Sequence, residues 1–246
     1  MYIHVLKKDK TMTTILHKAN TRGNANHGWL NSYHTFSFAN YYNSERTNFG
    51  LLRVLNDDTV SAGMGFGKHP HDNMEIVSIP LEGDLHHNDS TGRDKIIKQG
   101  DVQIMSAGSG IMHSEMNANK NKEVKFLQIW VFPEKRNIEP RYEQKTFSVE
   151  DRKNKLQTVV APNDSNALWI NQQAWFTLGN FDTNFSTTYT LHNNKNGVYA
   201  FLIKGSASIN DVELNERDGL GISVTETLNI KALSDAEILL IEVPMK

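Results

Sequence analysis

Ser78-Ile79-Pro80-Leu81-Glu82-Gly83-Asp84-Leu85 has a counterpart late in the chain, Ala200-Phe201-Leu202-Ile203-Lys204-Gly205-Ser206-Ala207. Each reads as an apolar run, a glycine turn and the start of a second run. Short apolar runs bounded by turn residues are strand signals. Moving outward, Lys98-Gln99-Gly100-Asp101-Val102-Gln103-Ile104 resembles Glu216-Arg217-Asp218-Gly219-Leu220-Gly221-Ile222, and Phe126–Pro133 resembles Ile238–Pro244. Both halves run strand, glycine turn, strand, acidic-glycine turn, strand, and a last strand ending in proline. A succession that occurs twice predicts two copies of one β unit.

The remaining punctuation agrees. Gly50-Leu51-Leu52-Arg53-Val54-Leu55, Glu75–Ile79, Asp101–Met105 and Val124–Phe132 read as strands. Asn56-Asp57-Asp58, Glu82-Gly83-Asp84, Ser90-Thr91-Gly92 and Gln99-Gly100-Asp101 read as turns. Short strands with frequent turns predict an all-β sandwich or barrel. No helix of three or more turns is read in the chain, the one candidate being Ser148–Gln157 with Ser148 as its cap. Pro133–Asp164, with three prolines and many charges, reads as a connector.

Composition excludes several functions. The 246 residues carry a net charge of −2, and basic clusters such as Lys120-Asn121-Lys122 are short and interrupted. A solvated loop is the expectation there, and no direct nucleic-acid contact. There is no cysteine, so disulfides, thiolate ligands and a cysteine nucleophile are excluded. No apolar run approaches the ~18 residues of a membrane span. Met1–Lys10 has no stretch that reads as a signal peptide. The expected location is the cytoplasm. Met12 is an alternative start, with residues 1–11 then playing no part in the fold.

The chemistry sits in His69-Pro70-His71 and His113-Ser114-Glu115. On a strand, side chains at i and i+2 share a face, with Cα atoms about 6.5–7 Å apart. Two imidazoles, or an imidazole and a carboxylate, then converge on one ion at about 2.0–2.2 Å. A lone His-x-His is weak evidence, because exposed strands carry such pairs by chance. A second pair, further strands later and just after Gly108-Ser109-Gly110, makes a site. Three imidazoles and one carboxylate leave positions for solvent, which suits a redox-active ion such as Fe(II) better than a structural zinc. The second unit has one histidine, His192, and is expected to be metal-free. Glu75 has the strand parity of His69 and His71, so it is a candidate for orienting a ligand or handling a proton. The alternative is an inward polar residue with its hydrogen bonds satisfied. His86 and His87 face opposite ways on a strand. His27 and His34 read as packing or lid residues, and Met64, Phe66, Met74, Met105, Met112 and Trp130 as barrel core.

These residues carry a resemblance. Gly63, His69, His71, Glu75 and Gly83 resemble the first cupin motif, with one residue more in the last gap. Gly110, His113 and Asn117 resemble the end of the second. Gly108 stands where a proline is usual, and Gly100 lies two residues further upstream than the pattern asks. The run from His69 to Glu115, with Glu75, Leu81-Glu82-Gly83, His87, Asp89-Ser90, Gly92, Gly100–Gln103 and Met105–Met112, resembles the pirin family's signature. The flanks Asn26–Asn31, His34–Tyr42 and Pro140–Gln144 are similar to its bacterial members.

The resemblance covers nearly the whole chain from Met12. It implies a bicupin of two tandem jelly-roll β-barrels with metal in the N-terminal barrel alone. The implied division is a 1–19 extension, a 20–135 metal-binding domain, a 136–164 connector and a 165–246 metal-free domain. It implies His69, His71, His113 and Glu115 as ligands, and it does not make Glu75 one. It implies one divalent ion, Fe(II) first, with Mn, Ni, Cu, Co or Zn as alternatives. The implied activity is a quercetin 2,3-dioxygenase, with a flavonol or similar aromatic enol and O₂ as substrates. The competing class is a redox-sensing regulator that binds a protein partner, and a third is another metal-dependent cupin such as an isomerase.

Overall fold

The computed structural model describes residues 11–245, and strands dominate them. β1 (Thr13–His17) precedes a single 3-10 turn, Ala19–Thr21. Then come β2 (Gly23–Asn26), β3 (Leu30–His34), β4 (Leu52–Val60), β5 (Gly65–His71), β6 (Glu75–Glu82), β7 (Leu85–Asp89) and β8 (Asp94–Ile97). β9 (Asp101–Ser106), β10 (Ile111–Asn117), β11 (Val124–Val131) and β12 (Arg141–Thr146) complete the first half. The second half holds β13 (Leu156–Ala161), β14 (Leu168–Trp169), β15 (Trp175–Phe181), β16 (Ser186–Thr190) and β17 (Asn196–Lys204). It ends with β18 (Ser206–Ile209), β19 (Val212–Asn215), β20 (Gly219–Ser223), β21 (Thr227–Ala232) and β22 (Ala236–Pro244).

The inner strands of the two copies correspond one to one. One seven-stranded sheet has the order β12-β9-β6-β11-β4-β3-β2, the other β1-β20-β17-β22-β15-β13-β14. The four-stranded sheets are β5-β10-β7-β8 and β16-β21-β18-β19. The edges are shared out. β1 pairs antiparallel with β20, from Thr13↔Ser223 to His17↔Gly219, so a strand at the chain's start belongs to the second barrel. β12 pairs with β9 and closes the edge of the first, while β13 pairs with β15 in the second. Residues 13–17 and 141–161, expected in an extension and a connector, therefore supply strands. The expectation about residues 1–11 falls almost wholly outside the described residues.

Strand alternation divides the side chains between two destinations. Val77, Ile79, Leu127 and Ile129 of the first barrel pack with Phe176, Phe201, Leu239 and Ile241 of the second in the largest apolar cluster. This cluster lies between the two large sheets. The opposite faces point into the barrels, and there the copies diverge. The second interior is apolar, with Val198, Ala200, Leu202, Leu228, Ile230 and Leu240. The first has smaller apolar clusters and buries Ser32, Asn56, Asp58, Ser78, His113, Glu115 and Gln128. One cross-strand pair makes the point: Ser78↔Gln128 in the first copy corresponds to Ala200↔Leu240 in the second. A fully buried aliphatic side chain contributes about 1.5–3 kcal/mol, so the shared core stabilises both barrels without an ion.

Two local expectations are corrected. Asn56-Asp57-Asp58 is not a turn but the middle of β4, paired with Leu127 and Gln128 of β11 among others. No helix forms over 148–157. A single 3-10 turn, Glu150–Arg152, is followed at Leu156 by β13. The Ser148 hydroxyl does accept from Glu150 N at 3.2 Å, but the β-branched run Val159-Val160 is held in the sheet by β15. Among the described residues no helix is long and apolar enough to cross a membrane.

Candidate metal centre

β5 and β10 pair antiparallel with His113 opposite His69 and Ile111 opposite His71. The i, i+2 spacing on β5 and the register with β10 bring three imidazoles together. Their ring centroids are 4.5–4.9 Å apart, and one ligand nitrogen from each lies within 4.8 Å of the others. Nitrogens sharing an ion at ~2.1 Å are about 3–4 Å apart, so a small inward movement closes the site. A glycine turn feeds β10. Gly108 has φ +52°, and a Cβ there would stand 2.1 Å from Ile138 O.

The chemistry of the donors fits a cation. His69 Nδ1 donates to Gly67 O at 2.7 Å, which leaves Nε2 as the lone-pair nitrogen. His113 is 1% exposed, yet neither ring nitrogen has a partner. Burial first, with the neighbouring imidazoles adding, lowers His71 to about 4 and His113 to about 3. Both rings are neutral near pH 7, as ligands must be.

Glu115 shares the inward face of β10 with His113 but lies outside the three-histidine cluster. A register shift separates them: His113 opposes His69, while Glu115 opposes Phe66. Glu115 Oε1 accepts from Ser78 Oγ at 3.0 Å, and Oε2 accepts from Gln128 Nε2. It lines the same cavity as His69 and His71.

Glu75 lies elsewhere. β5 ends at His71, the turn through Asn73 (φ +47°) carries the chain to the other sheet, and Glu75 opens β6. There it has the parity of Val77 and Ile79, which face the second barrel, while Ser78 faces Glu115. Its Oε2 accepts from Ser106 Oγ at 2.8 Å and from Asn171 N at 3.1 Å. Burial raises its pKa. The shared parity with His69 and His71 does not survive a change of sheet, and Glu75 sits at the seam between the barrels.

A cavity of about 410 Å³ opens beside the histidines inside the first barrel. Trp29, Leu30, Phe38, Phe66 and Trp130 line it, together with Ser32, His34, Asn56, Asp58 and Gln128. Trp130 stands edge-on to His71 at 4.9 Å and to Phe38 at 5.3 Å. His71 and Trp130 also border a more open hollow of about 570 Å³ with Pro70, Met74, Ser90 and Met112. His87 faces inward, 5.4 Å from His113 between ring centroids, with Nε2 on Asp89 Oδ2 at 2.8 Å. His34 is a cavity residue, and His86 bonds Asp94 on the outside.

Asp58 and Asn56 are the site residues that sequence reading missed. The signal was present: they sit at i+2 and i+4 from Val54, in phase with buried Val60. Asp58 is pushed up to about 7, chiefly by burial, with the carboxylates of Asp57 and Glu115 adding and the bond from Ser32 opposing.

Known proteins share this architecture. The family model described as Pirin matches residues 16–131, and that of the quercetinase C-terminal cupin domain matches 158–243. A quercetin 2,3-dioxygenase of Escherichia coli (strain K12) is 42% identical over 93% of this chain and 98% of its own length. A pirin-like protein of Caulobacter vibrioides is 39% identical over 89% of this chain and 95% of its own. The crystal structure of the bacterial pirin YhhW from Escherichia coli, in complex with nickel(II), superposes with a TM-score of 0.90 at 40% identity, covering 95% of this chain and 100% of that one. A quercetin 2,3-dioxygenase structure from Acinetobacter baumannii shares the fold, with a TM-score of 0.76 at 19% identity over 93% of this chain and 85% of that one.

Proposed function

Since the chain belongs to the pirin family, we propose that it is a metal-dependent dioxygenase of flavonols or similar aromatic enols. The observation that carries this reading is the cavity of about 410 Å³ with His69, His71 and Glu115 on its wall. That volume lies in the range of small-molecule sites, ~300–1,000 Å³. Its aromatic lining suits a flat polyphenol, and its polar groups suit hydroxyls.

His69, His71 and His113 would hold the ion, with Glu115 as the fourth donor. Ser78 and Gln128 position that carboxylate, and Gly67 O positions His69. When bound, a divalent ion supplies Lewis acidity that favours the oxyanion of a substrate hydroxyl, and Fe(II) adds redox reactivity toward O₂. The protein's own part is to stack the rings against Trp29, Phe66 and Trp130 and to keep His71 and His113 neutral.

The test is metal analysis of protein purified without chelators, then O₂ uptake with a flavonol panel at one Fe(II) per chain. Flavonol-dependent O₂ uptake that stops on chelation is the expected result. A metal-loaded protein that consumes neither O₂ nor flavonol is not this enzyme.

A further inference from the structure

The histidines stand on the four-stranded sheet of the first barrel. The seven-stranded sheet facing them is polar on its inner side, along β3 and β4. Ser32, His34, Asn56 and Asp58 all line the cavity, and each is at most 3% exposed. His34 Nδ1 and Asn56 Oδ1 have no hydrogen-bond partner among the described residues.

Asp58 is the most demanding of these groups. Its carboxyl takes one hydrogen bond among the described residues, from the Ser32 hydroxyl. Its neighbour Asp57 has the opposite parity and holds the nearby cations, Arg22 at 3.2 Å and Arg217 at 3.6 Å. Facing Asp58 across the register, β11 offers Phe126, which is uncharged. The charged or titratable groups on the same cavity are Glu115 on β10, His69 and His71 on β5, and His27 and His34 beside and on β3. A buried carboxyl with one neutral donor and no cation is costly as an anion. It has a free acceptor capacity that a ligand hydroxyl would satisfy.

We propose that Asp58 is the proton acceptor for a hydroxyl of the substrate bound in this cavity. The proposal rests on the oxidative reading above, but it concerns a residue on the sheet opposite the histidines. In the step, the substrate O–H bond breaks and its proton passes to a carboxylate oxygen of Asp58. The electron pair stays on the substrate oxygen, giving the oxyanion, and the proton returns to the product. Held near 7, Asp58 exchanges that proton around neutral pH, where a general base works best.

The experiment uses metal-loaded protein with quercetin as the probe. Without O₂, the red-shifted absorbance of bound quercetin reports the oxyanion. With O₂, uptake reports turnover. For Asp58→Asn we expect metal content as in wild type, an oxyanion band that appears about one pH unit higher or more, and kcat lower by about 100-fold with a small change in KM. Ser32→Ala removes the bond that favours ionised Asp58, so its pH–rate profile should move to higher pH with Asp58 still in place, because turnover starts from the ionised carboxyl. If Asp58 merely braced Ser32, both variants would match wild type in band position and profile.

An unchanged band and unchanged kcat in Asp58→Asn overturn the proposal while leaving the dioxygenase reading intact. Should Asp58→Asn not fold, an unmoved profile in Ser32→Ala overturns it. An Asp58-dependent band without O₂ uptake overturns the dioxygenase reading and supports the acceptor. A wild type that does not bind quercetin overturns both.

Discussion

The Ser78 hydroxyl donates to the Glu115 carboxylate at 3.0 Å inside the first barrel, and Gln128, directly opposite Ser78 on β11, donates to the other oxygen. At the matching place in the second barrel Ala200 stands opposite Leu240, and the inward face of β21 is Leu228, Ile230 and Ala232. The difference between a cavity walled by histidines and a packed core is thus written in a few inward positions of one shared scaffold.

Replacing Gln128 by Leu and Ser78 by Ala in the first barrel imitates the second. Glu115 then loses both donors. Metal affinity should fall about 10–100-fold, as is typical when groups behind a ligand are removed, with circular dichroism unchanged. Titration with Fe(II) or Ni(II) reads the affinity. An unaltered affinity would mean that Glu115 is placed by something other than these two residues.

His69→Ala, His71→Ala and His113→Ala should each lose most of the bound metal, from about one ion per chain in wild type, and keep the wild-type circular dichroism. The core between the barrels does not involve the site, so the fold stands without it. Stoichiometric metal retained in any of the three refutes the ligand assignment.

Glu75→Ala is a stability variant on this structure. It leaves Ser106 Oγ and Asn171 N without their acceptor at the seam, each a loss of about 1–3 kcal/mol for a buried group. The melting temperature should drop by several degrees. O₂ uptake per bound metal should match wild type, and a selective loss of turnover would return Glu75 to the site.

Asp58 makes stability depend on pH. Its folded-state pKa lies above the unfolded value, so its protonated form favours the fold. That contribution is full below about pH 4 and is lost as pH rises through about 7. Urea unfolding of metal-free protein should show wild type losing ground to Asp58→Asn from about pH 4 to about pH 7 and no further above it. A constant difference across that range would contradict a titrating Asp58.

Removing residues 1–18 deletes β1 from the second barrel. It exposes the β20 edge and removes His17, whose Nδ1 meets the buried Tyr199 hydroxyl at 2.9 Å. A fall in melting temperature of several degrees is expected, with metal binding in the first barrel retained.

The linear sequence was sufficient for the two-copy order and for the meeting of His69, His71 and His113. Glycine turns, strand period and i, i+2 spacing are local, and at these positions they survive folding. The turns at Glu82-Gly83-Asp84 and Gln99-Gly100-Asp101 connect strands as read. The sequence did not determine the destination of Glu75 or the inward course of Asn56 and Asp58. A strand's two faces acquire meaning only from the sheets on either side of it. A run of polar residues reads as a turn until a partner strand extends it, and parity carries across a turn only if both strands stay in one sheet. Only the tertiary structure decided that Ser78 looks toward Glu115 while Glu75, three residues earlier, looks toward the other barrel.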